Sequence, residues 1–127
     1  MSYLLDTHAV IWLVEDSPKM PTAIKGIIMN PESQISISSI SLWEIAIKMN
    51  IGKINLGLSL DSLIDKLRNC DFDFLQIKDE YLLGLSKLPL LHKDPFDRLL
   101  ISTALLEEMT IITIDENIHK YNVPCIW

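Results

Sequence analysis

Four acidic residues in four separate segments could together hold a metal ion. They are Asp6 in LLDTH, Glu44 in SLWEIA, Asp97 in DPFDR and Asp115 in TIITID. Unit charges about 4 Å apart repel by roughly 4 kcal/mol at an effective dielectric constant near 20, so gathered carboxylates need protons or a cation. Mg²⁺ prefers oxygen ligands and keeps several waters, whose lowered pKa suits the hydrolysis of a phosphodiester.

Three of these acids also have an ordinary interpretation as residues at helix starts. In LHKDPFDRLLIS, Asp94 is a strong N-cap, Pro95 suits the first helical position and Asp97 suits the first turn. Asp6 and Asp115 can each cap a following helical segment in the same way. Asp6, however, interrupts the apolar run YLLDTHAVIWLV, where an unpaired charge would be costly.

Glu44 has a different ordinary interpretation, as part of an exposed helix face. At helical spacing Ser41, Glu44 and Lys48 form one polar stripe, with Glu44 and Lys48 four residues apart. Such a pair on a helix surface contributes about 0.2–0.5 kcal/mol. The sequence alone therefore leaves both interpretations of Glu44 open.

The elements that must position these acids alternate between short apolar strands and helical patterns. The predicted strands are 2–6, 34–38, 72–77, 110–115 and 123–127, and the predicted helices are 7–14, 17–30, 39–50, 59–70, 79–88 and 95–109. The helix at 17–30 is expected to be capped by Ser17 with Pro18 in its first position. Apolar strands separated by helices predict an α/β fold with a parallel sheet covered on both faces.

This architecture brings the four acids to one rim. The carboxyl ends of parallel strands share one edge, where ligands bind, and right-handed crossovers start each helix there. Asp6 ends the first predicted strand and Asp115 ends TIITID. Asp97 lies in the first turn of its helix, and Glu44 lies within about two turns of a helix start.

Composition limits the class of protein. With 127 residues the chain is predicted to form a single domain, 1–127, and its net charge of −6 is not that of a generic nucleic-acid binder. No apolar run is long enough to cross a membrane, no signal peptide is evident, and Cys70 and Cys125 have no metal-like spacing. We therefore expect a cytoplasmic protein with reduced thiols.

Other catalytic patterns are weaker. His8, His92 and His119 form no zinc spacing with the cysteines, and we interpret them as packing or surface residues. No glycine-rich phosphate loop and no GxSxG motif is present. A phosphoacceptor receiver domain would need paired acids after the first strand and an acceptor aspartate after the third, for which Asp79 is only a loose candidate.

Taken in order, LLDTHAVIWLV, SLWEIAIK, LPLLHKDPFDRLLISTA, TIITID and VPCIW closely resemble a PIN domain. More narrowly, they resemble the VapC-type toxin ribonucleases of bacterial toxin–antitoxin pairs, over residues 3–127. The resemblance implies a three-layer α/β/α sandwich with a central parallel sheet. It also implies four metal-binding acids, a hydroxyl beside the fourth, and a role for Asp94 as helix cap only. Those five positions are Asp6, Glu44, Asp97, Asp115 and Thr113.

The implied activity is Mg²⁺- or Mn²⁺-dependent hydrolysis of RNA phosphodiester bonds by an endoribonuclease. Lys48 and Arg98 are candidate phosphate contacts, and the alternative for both is charge pairing with the acids. Toxins of this type dimerise and are held inactive by a small antitoxin that covers the acidic rim. A non-catalytic module that only binds a partner protein is the alternative function.

Overall fold

The computed structural model describes all 127 residues and contains five strands and seven helices. The strands are β1 (Ser2–Leu5), β2 (Gln34–Ser38), β3 (Asp73–Leu75), β4 (Thr110–Ile112) and β5 (Cys125–Ile126). The helices are α1 (Thr7–Glu15), α2 (Thr22–Met29), α3 (Ser39–Asn50), α4 (Leu60–Arg68), α5 (Asp79–Leu85), α6 (Pro95–Glu107) and α7 (Glu116–His119). None of these helices combines the length and the apolar character needed to span a membrane.

The five strands form one parallel sheet in the order β3-β2-β1-β4-β5. From β1 the chain moves outward to β2 and β3, then returns past the starting strand to β4 and β5. The order therefore reverses between β1 and β4, which pair through Leu5 and Ile112. In open parallel sheets the crevice at such a reversal, beyond the carboxyl ends of the strands, is where ligands bind.

Helices cover both faces of the sheet, which confirms the predicted parallel α/β architecture. Adjacent strand residues point to opposite faces: Leu4 packs in one apolar cluster and Leu5 in the other. The cluster on the Leu5 face includes buried residues of α1, α2 and α4. The cluster on the Leu4 face includes buried residues of α5, α6 and α7.

The start of α2 differs from the prediction. The helix begins at Thr22 rather than at Pro18, with Pro21 as its N-cap residue in an extended conformation. A helix begun at Pro18 would need the N–H that Pro21 lacks, and a residue before proline disfavours the helical region. The Ser17 hydroxyl instead accepts a hydrogen bond from the backbone N–H of Lys19, at 3.2 Å, in a turn.

Two strands end two or more residues before their predicted carboxyl ends. Strand β3 ends at Leu75 and β4 ends at Ile112. Asp115 therefore does not end a strand, as the sequence suggested. It lies three residues beyond β4 and caps α7, so a short loop places it instead of the sheet.

Candidate metal centre

Asp6 stands where β1 passes into α1. Its backbone N–H continues the ladder to the carbonyl of Ile112, and its Oδ1 accepts the N–H of Ala9 at 2.8 Å as the N-cap of α1. The Thr113 hydroxyl donates to Oδ2 at 2.5 Å. Only 3 % of Asp6 is exposed, and this burial raises its pKa despite both hydrogen bonds. The residue is thus a helix cap and a buried acid at once.

Glu44 is buried on α3, so the interpretation of an exposed helix face is wrong. Only 3 % of the residue is exposed. The Thr7 hydroxyl donates to its Oε1 at 2.6 Å, and the Lys48 ammonium donates to its Oε2 at 2.5 Å. The expected Glu–Lys pair is therefore present. Thr7, the residue that follows Asp6, links Glu44 to the start of α1.

Thr113 joins the ends of β1 and β4. Besides donating to Asp6, its oxygen accepts the backbone N–H of Asp115 at 3.0 Å. Asp115 in turn accepts the N–H of Asn117 through Oδ1 at 2.9 Å, as the N-cap of α7. The hydroxyl of the fully buried Thr113 thus bonds to the side chain of one predicted metal ligand, Asp6, and to the backbone of another, Asp115.

Asp97 lies in the first turn of α6, as predicted, and Asp94 caps that helix by accepting the Asp97 N–H at 3.0 Å. Burial raises the pKa of Asp97 to about 7. A hydrogen bond with His92 lowers this pKa, and the charges of Asp94, Asp115 and Glu44 raise it. Asp97 therefore lies within the electrostatic reach of Asp94, Asp115 and Glu44, and Asp115 also raises the pKa of Asp6.

These donors fit a hard divalent cation. Buried carboxylates with raised pKa values are groups whose charged form lacks compensation, and an oxygen-liganded cation supplies it. Each carboxylate oxygen has two acceptor positions, so Asp6 retains one on each oxygen beyond its hydrogen bonds. Glu44 also retains one position on each oxygen, but its charge is already compensated by the Lys48 ammonium, which suits an outer position better than direct ligation.

His92 is the residue that sequence reasoning missed. Its Nε2 lies 2.9 Å from Oδ2 of Asp97, and ligand atoms of His92, Asp94 and Asp97 all lie within 4.8 Å of one another. Because His92 forms no zinc spacing with the cysteines, it was interpreted as a packing or surface residue. The better signal was local, since the histidine stands five residues before Asp97 in HKDPFD.

The two candidate phosphate-binding residues are placed differently. Lys48 pairs with Glu44, as its alternative interpretation required. Arg98 forms no salt bridge with an acid, and its Nη2 donates instead to the carbonyl of Leu88 at 3.3 Å. A contact of either side chain with phosphate stays a prediction.

The two pockets of the protein lie away from this rim. Their volumes are about 250 and about 320 Å³, and both are lined by Met29, Cys70 and Phe72. None of the four predicted acids lines either pocket. The acids thus lie outside both pockets, whereas small-molecule sites are usually concave and mostly apolar.

The sequence model of the PIN domain family matches residues 3–124. No curated protein has a sequence that matches the chain. Several solved structures share its fold. VapBC2 from Rickettsia felis, bound to a promoter DNA fragment, has a TM-score of 0.75 at 20 % identity, covering 100 % of this chain and 99 % of that chain. VapBC-1 from nontypeable Haemophilus influenzae has a TM-score of 0.69 at 21 % identity, with coverages of 99 % and 97 %. FitAcB from Neisseria gonorrhoeae has a TM-score of 0.69 at 16 % identity, with coverages of 98 % and 96 %.

Proposed function

This chain belongs to the PIN domain family, and from that premise we propose that it is a divalent-metal-dependent endoribonuclease. Residues 1–127 form a single nuclease domain that cleaves RNA phosphodiester bonds in the cytoplasm. Mg²⁺ or Mn²⁺ is the cofactor. The protein acts as the toxin of a bacterial toxin–antitoxin pair.

The observation that carries this proposal is the group of acids at the strand-order reversal. Asp6 directly follows β1, and Asp97 lies on α6, which packs on the other face of the sheet from α1. Both carboxyl groups have a raised pKa, to which the charge of Asp115 contributes in each case. Capping alone does not account for this, because a helix cap on a solvated surface costs nothing to ionise. A structure that buries several carboxylates together is best explained by a cation that they share.

The residues divide the work according to their contacts. Asp6 and Asp97 hold the cation, while Glu44 and Asp115 complete or orient its water shell. Thr113 fixes the Asp6 carboxylate through its 2.5 Å hydrogen bond. When bound, the divalent cation supplies Lewis-acid chemistry, activating water and offsetting the charge of the phosphate. It also offsets the repulsion between RNA and a protein whose net charge is −6.

The position of the acids supports a polymeric substrate. An RNA strand can pass along the carboxyl edge of the sheet, and neither pocket of the protein contains any of the four acids. The structural neighbours were solved as toxin–antitoxin assemblies, including one from Klebsiella pneumoniae. By analogy we propose that this chain forms a homodimer and binds an antitoxin that covers the acidic rim.

The test is a calorimetric titration of the purified, antitoxin-free protein with Mn²⁺, followed by cleavage of single-stranded RNA in Mg²⁺. We expect near-stoichiometric binding by the wild type and loss of both binding and cleavage in Asp6→Asn and in Asp97→Asn. The expected loss of cleavage is about a thousandfold, since a metal contributes several kcal/mol to such reactions. Asp65→Asn, an exposed acid on α4, is the charge-matched control and should behave as wild type.

Two results would overturn the proposal. A folded wild-type protein that binds no Mn²⁺ would mean that the acids serve as caps and surface charges. Cleavage that survives in Asp6→Asn would mean that a contaminant cuts the RNA, which would favour the non-catalytic, partner-binding alternative.

A further inference from the structure

The Asp97 carboxylate is held by a single side chain. Its Oδ2 lies 2.9 Å from Nε2 of His92, and its Oδ1 has no hydrogen-bond partner within the protein. Asp6 differs, because donors from Ala9 and Thr113 fix both of its oxygens. The terminal torsion of an aspartate has a broad energy minimum. The direction in which Asp97 presents Oδ1 therefore depends on His92.

The chemistry of the pair fixes which group donates. An ionised carboxylate only accepts hydrogen bonds, so Nε2 of His92 must carry the proton when Asp97 is charged. Both side chains are largely shielded, with 17 % of His92 and 14 % of Asp97 exposed. Water competes little with a bond in such surroundings. The imidazole thus occupies Oδ2 and leaves Oδ1 of Asp97 as the oxygen without a partner in the protein.

His92 is itself held by the core. It lies in the segment 86–94 between α5 and α6, which has no regular structure around the histidine. The hydroxyl of Tyr121, a residue 5 % exposed, accepts the backbone N–H groups of both Leu91 and His92 at 3.1 Å. Arg98 on α6 donates to the carbonyl of Leu88 in the same segment. Side chains from α6 and from the turn after α7 therefore fix the backbone that carries the imidazole.

The charge of Arg98 strengthens this arrangement. Burial alone would raise the pKa of the Tyr121 hydroxyl, but interactions with the Arg98 guanidinium and with the two backbone N–H groups lower it. The lowered pKa reflects the donors that surround this oxygen, among them the Arg98 guanidinium. Arg98 thus supports the loop twice, directly at Leu88 and through Tyr121.

We infer that His92 is a positioning residue for Asp97, and that Tyr121 and Arg98 hold His92 in place for that task. Its consequence for metal binding rests on the proposed function. Hydrogen-bond partners of metal ligands commonly change metal affinity by about 10–100-fold. This assigns Arg98 a role in building the site, in place of direct contact with phosphate.

The first experiment compares Mn²⁺ binding by the full chain in the wild type, His92→Ala and His92→Gln. Alanine should raise the Kd by about 10–100-fold. Glutamine, whose Nε2 can donate to Asp97 from a similar distance, should recover most of that loss. Lys93→Gln, an exposed neighbour in the same segment, should bind as wild type. Unchanged binding in His92→Ala would overturn the inference, and so would a glutamine variant as weak as alanine.

A second readout does not depend on metal. In a metal-free crystal structure of His92→Ala we expect the Asp97 carboxylate to leave its wild-type orientation, and an unmoved carboxylate would overturn the inference. This separates two failures. A wild type that binds no Mn²⁺ removes the proposed nuclease, whereas the orientation of Asp97 still tests His92.

The link to Tyr121 is tested by combining variants. Tyr121→Phe removes only the hydroxyl and should weaken Mn²⁺ binding by about tenfold or less. Because it acts through His92, the double variant Tyr121→Phe/His92→Ala should bind no more weakly than His92→Ala alone. Fully additive losses would show that Tyr121 acts by another route.

Discussion

The two sides of the acidic rim are built in different ways. One side, which we call the strand side, consists of Asp6 and Thr113, which directly follow β1 and β4, and of Glu44 on α3; all three are at most 3 % exposed. The other, the loop side, consists of Asp97 and His92, which a segment between two helices brings together. On the strand side each carboxylate has two side-chain or backbone donors, whereas on the loop side the Asp97 carboxylate has one.

This difference determines which part of the site can move when a cation binds. Strand ends are fixed by the sheet ladder, so Asp6 cannot move without breaking its backbone bond to Ile112. The loop segment is fixed only by a few hydrogen bonds with the Tyr121 hydroxyl and the Arg98 guanidinium, which open at a smaller cost than a core strand. A cation would therefore find Asp6 preorganised and Asp97 adjustable.

The largest expected effect is the pH dependence of stability without metal. The pKa of Asp97 is raised from 3.8 to about 7 in the folded protein, so the folded chain binds this proton more tightly than the unfolded chain. The associated stabilisation is complete below pH 3.8 and is lost as the pH rises through 7. In urea unfolding with EDTA, the free energy of unfolding of Asp97→Asn, relative to that of the wild type, should increase by about 2–4 kcal/mol between pH 4 and pH 8.

Saturating Mn²⁺ should reverse the order of stability at pH 8, because the cation binds only the folded wild type. Asp65→Asn is the control and should follow the wild-type curve throughout. A constant difference between Asp97→Asn and wild type from pH 4 to pH 8 would show that Asp97 titrates normally. The Asp97 carboxylate would then be solvated, and the two sides would differ more in the burial of their carboxylates.

The sequence could predict the positions that neighbouring residues fix, but not those that depend on contacts between distant residues. Asp6 was predictable, because an acid that ends an apolar strand and starts a helix has its place fixed by adjacent residues. Asp94 and Asp97 were placed correctly by local capping rules. His92 and Tyr121 are 29 residues apart, and no local pattern predicts that a tyrosine hydroxyl will bind a distant loop backbone.

The two errors have different origins. The burial of Glu44 depends on Thr7, which lies 37 residues away, so its polar stripe suggested an exposed face. The predicted helix start at Ser17 and Pro18 failed because a second proline three residues later outweighed the first as a start signal. Tertiary contacts decided the first case and backbone sterics the second.

A smaller effect is expected from Thr113→Val, which tests the strand side. Valine has nearly the shape of threonine but neither donates to Asp6 nor accepts from Asp115. Hydrogen bonds to charged groups contribute about 1.5–3 kcal/mol, so unfolding at pH 8 should require about 2 kcal/mol less. The Kd for Mn²⁺ should rise by about tenfold.

Thr103→Val is the matched control for this substitution. Thr103 is equally buried, and its hydroxyl donates to the carbonyl of Leu99 within its own helix. Losing that bond should cost about 0.5–1 kcal/mol and leave Mn²⁺ binding unchanged. Equal effects of the two substitutions on Mn²⁺ affinity would mean that Thr113 has no special connection to the site.

The smallest effect is expected at Asp94, the acid whose two interpretations are capping and metal binding. Its Oδ1 caps α6, and removing the cap in Asp94→Ala should lower the free energy of unfolding by about 1 kcal/mol. Asp94→Asn keeps an acceptor oxygen and should be as stable as wild type. Its Mn²⁺ affinity should stay within about threefold, because a charge that does not touch the cation acts only through a screened field. Yet Asp94 lies within 4.8 Å of ligand atoms of both His92 and Asp97. If Asp94→Asn loses Mn²⁺ as completely as Asp97→Asn, Asp94 ligates the cation, and the loop side binds metal through two acids rather than one.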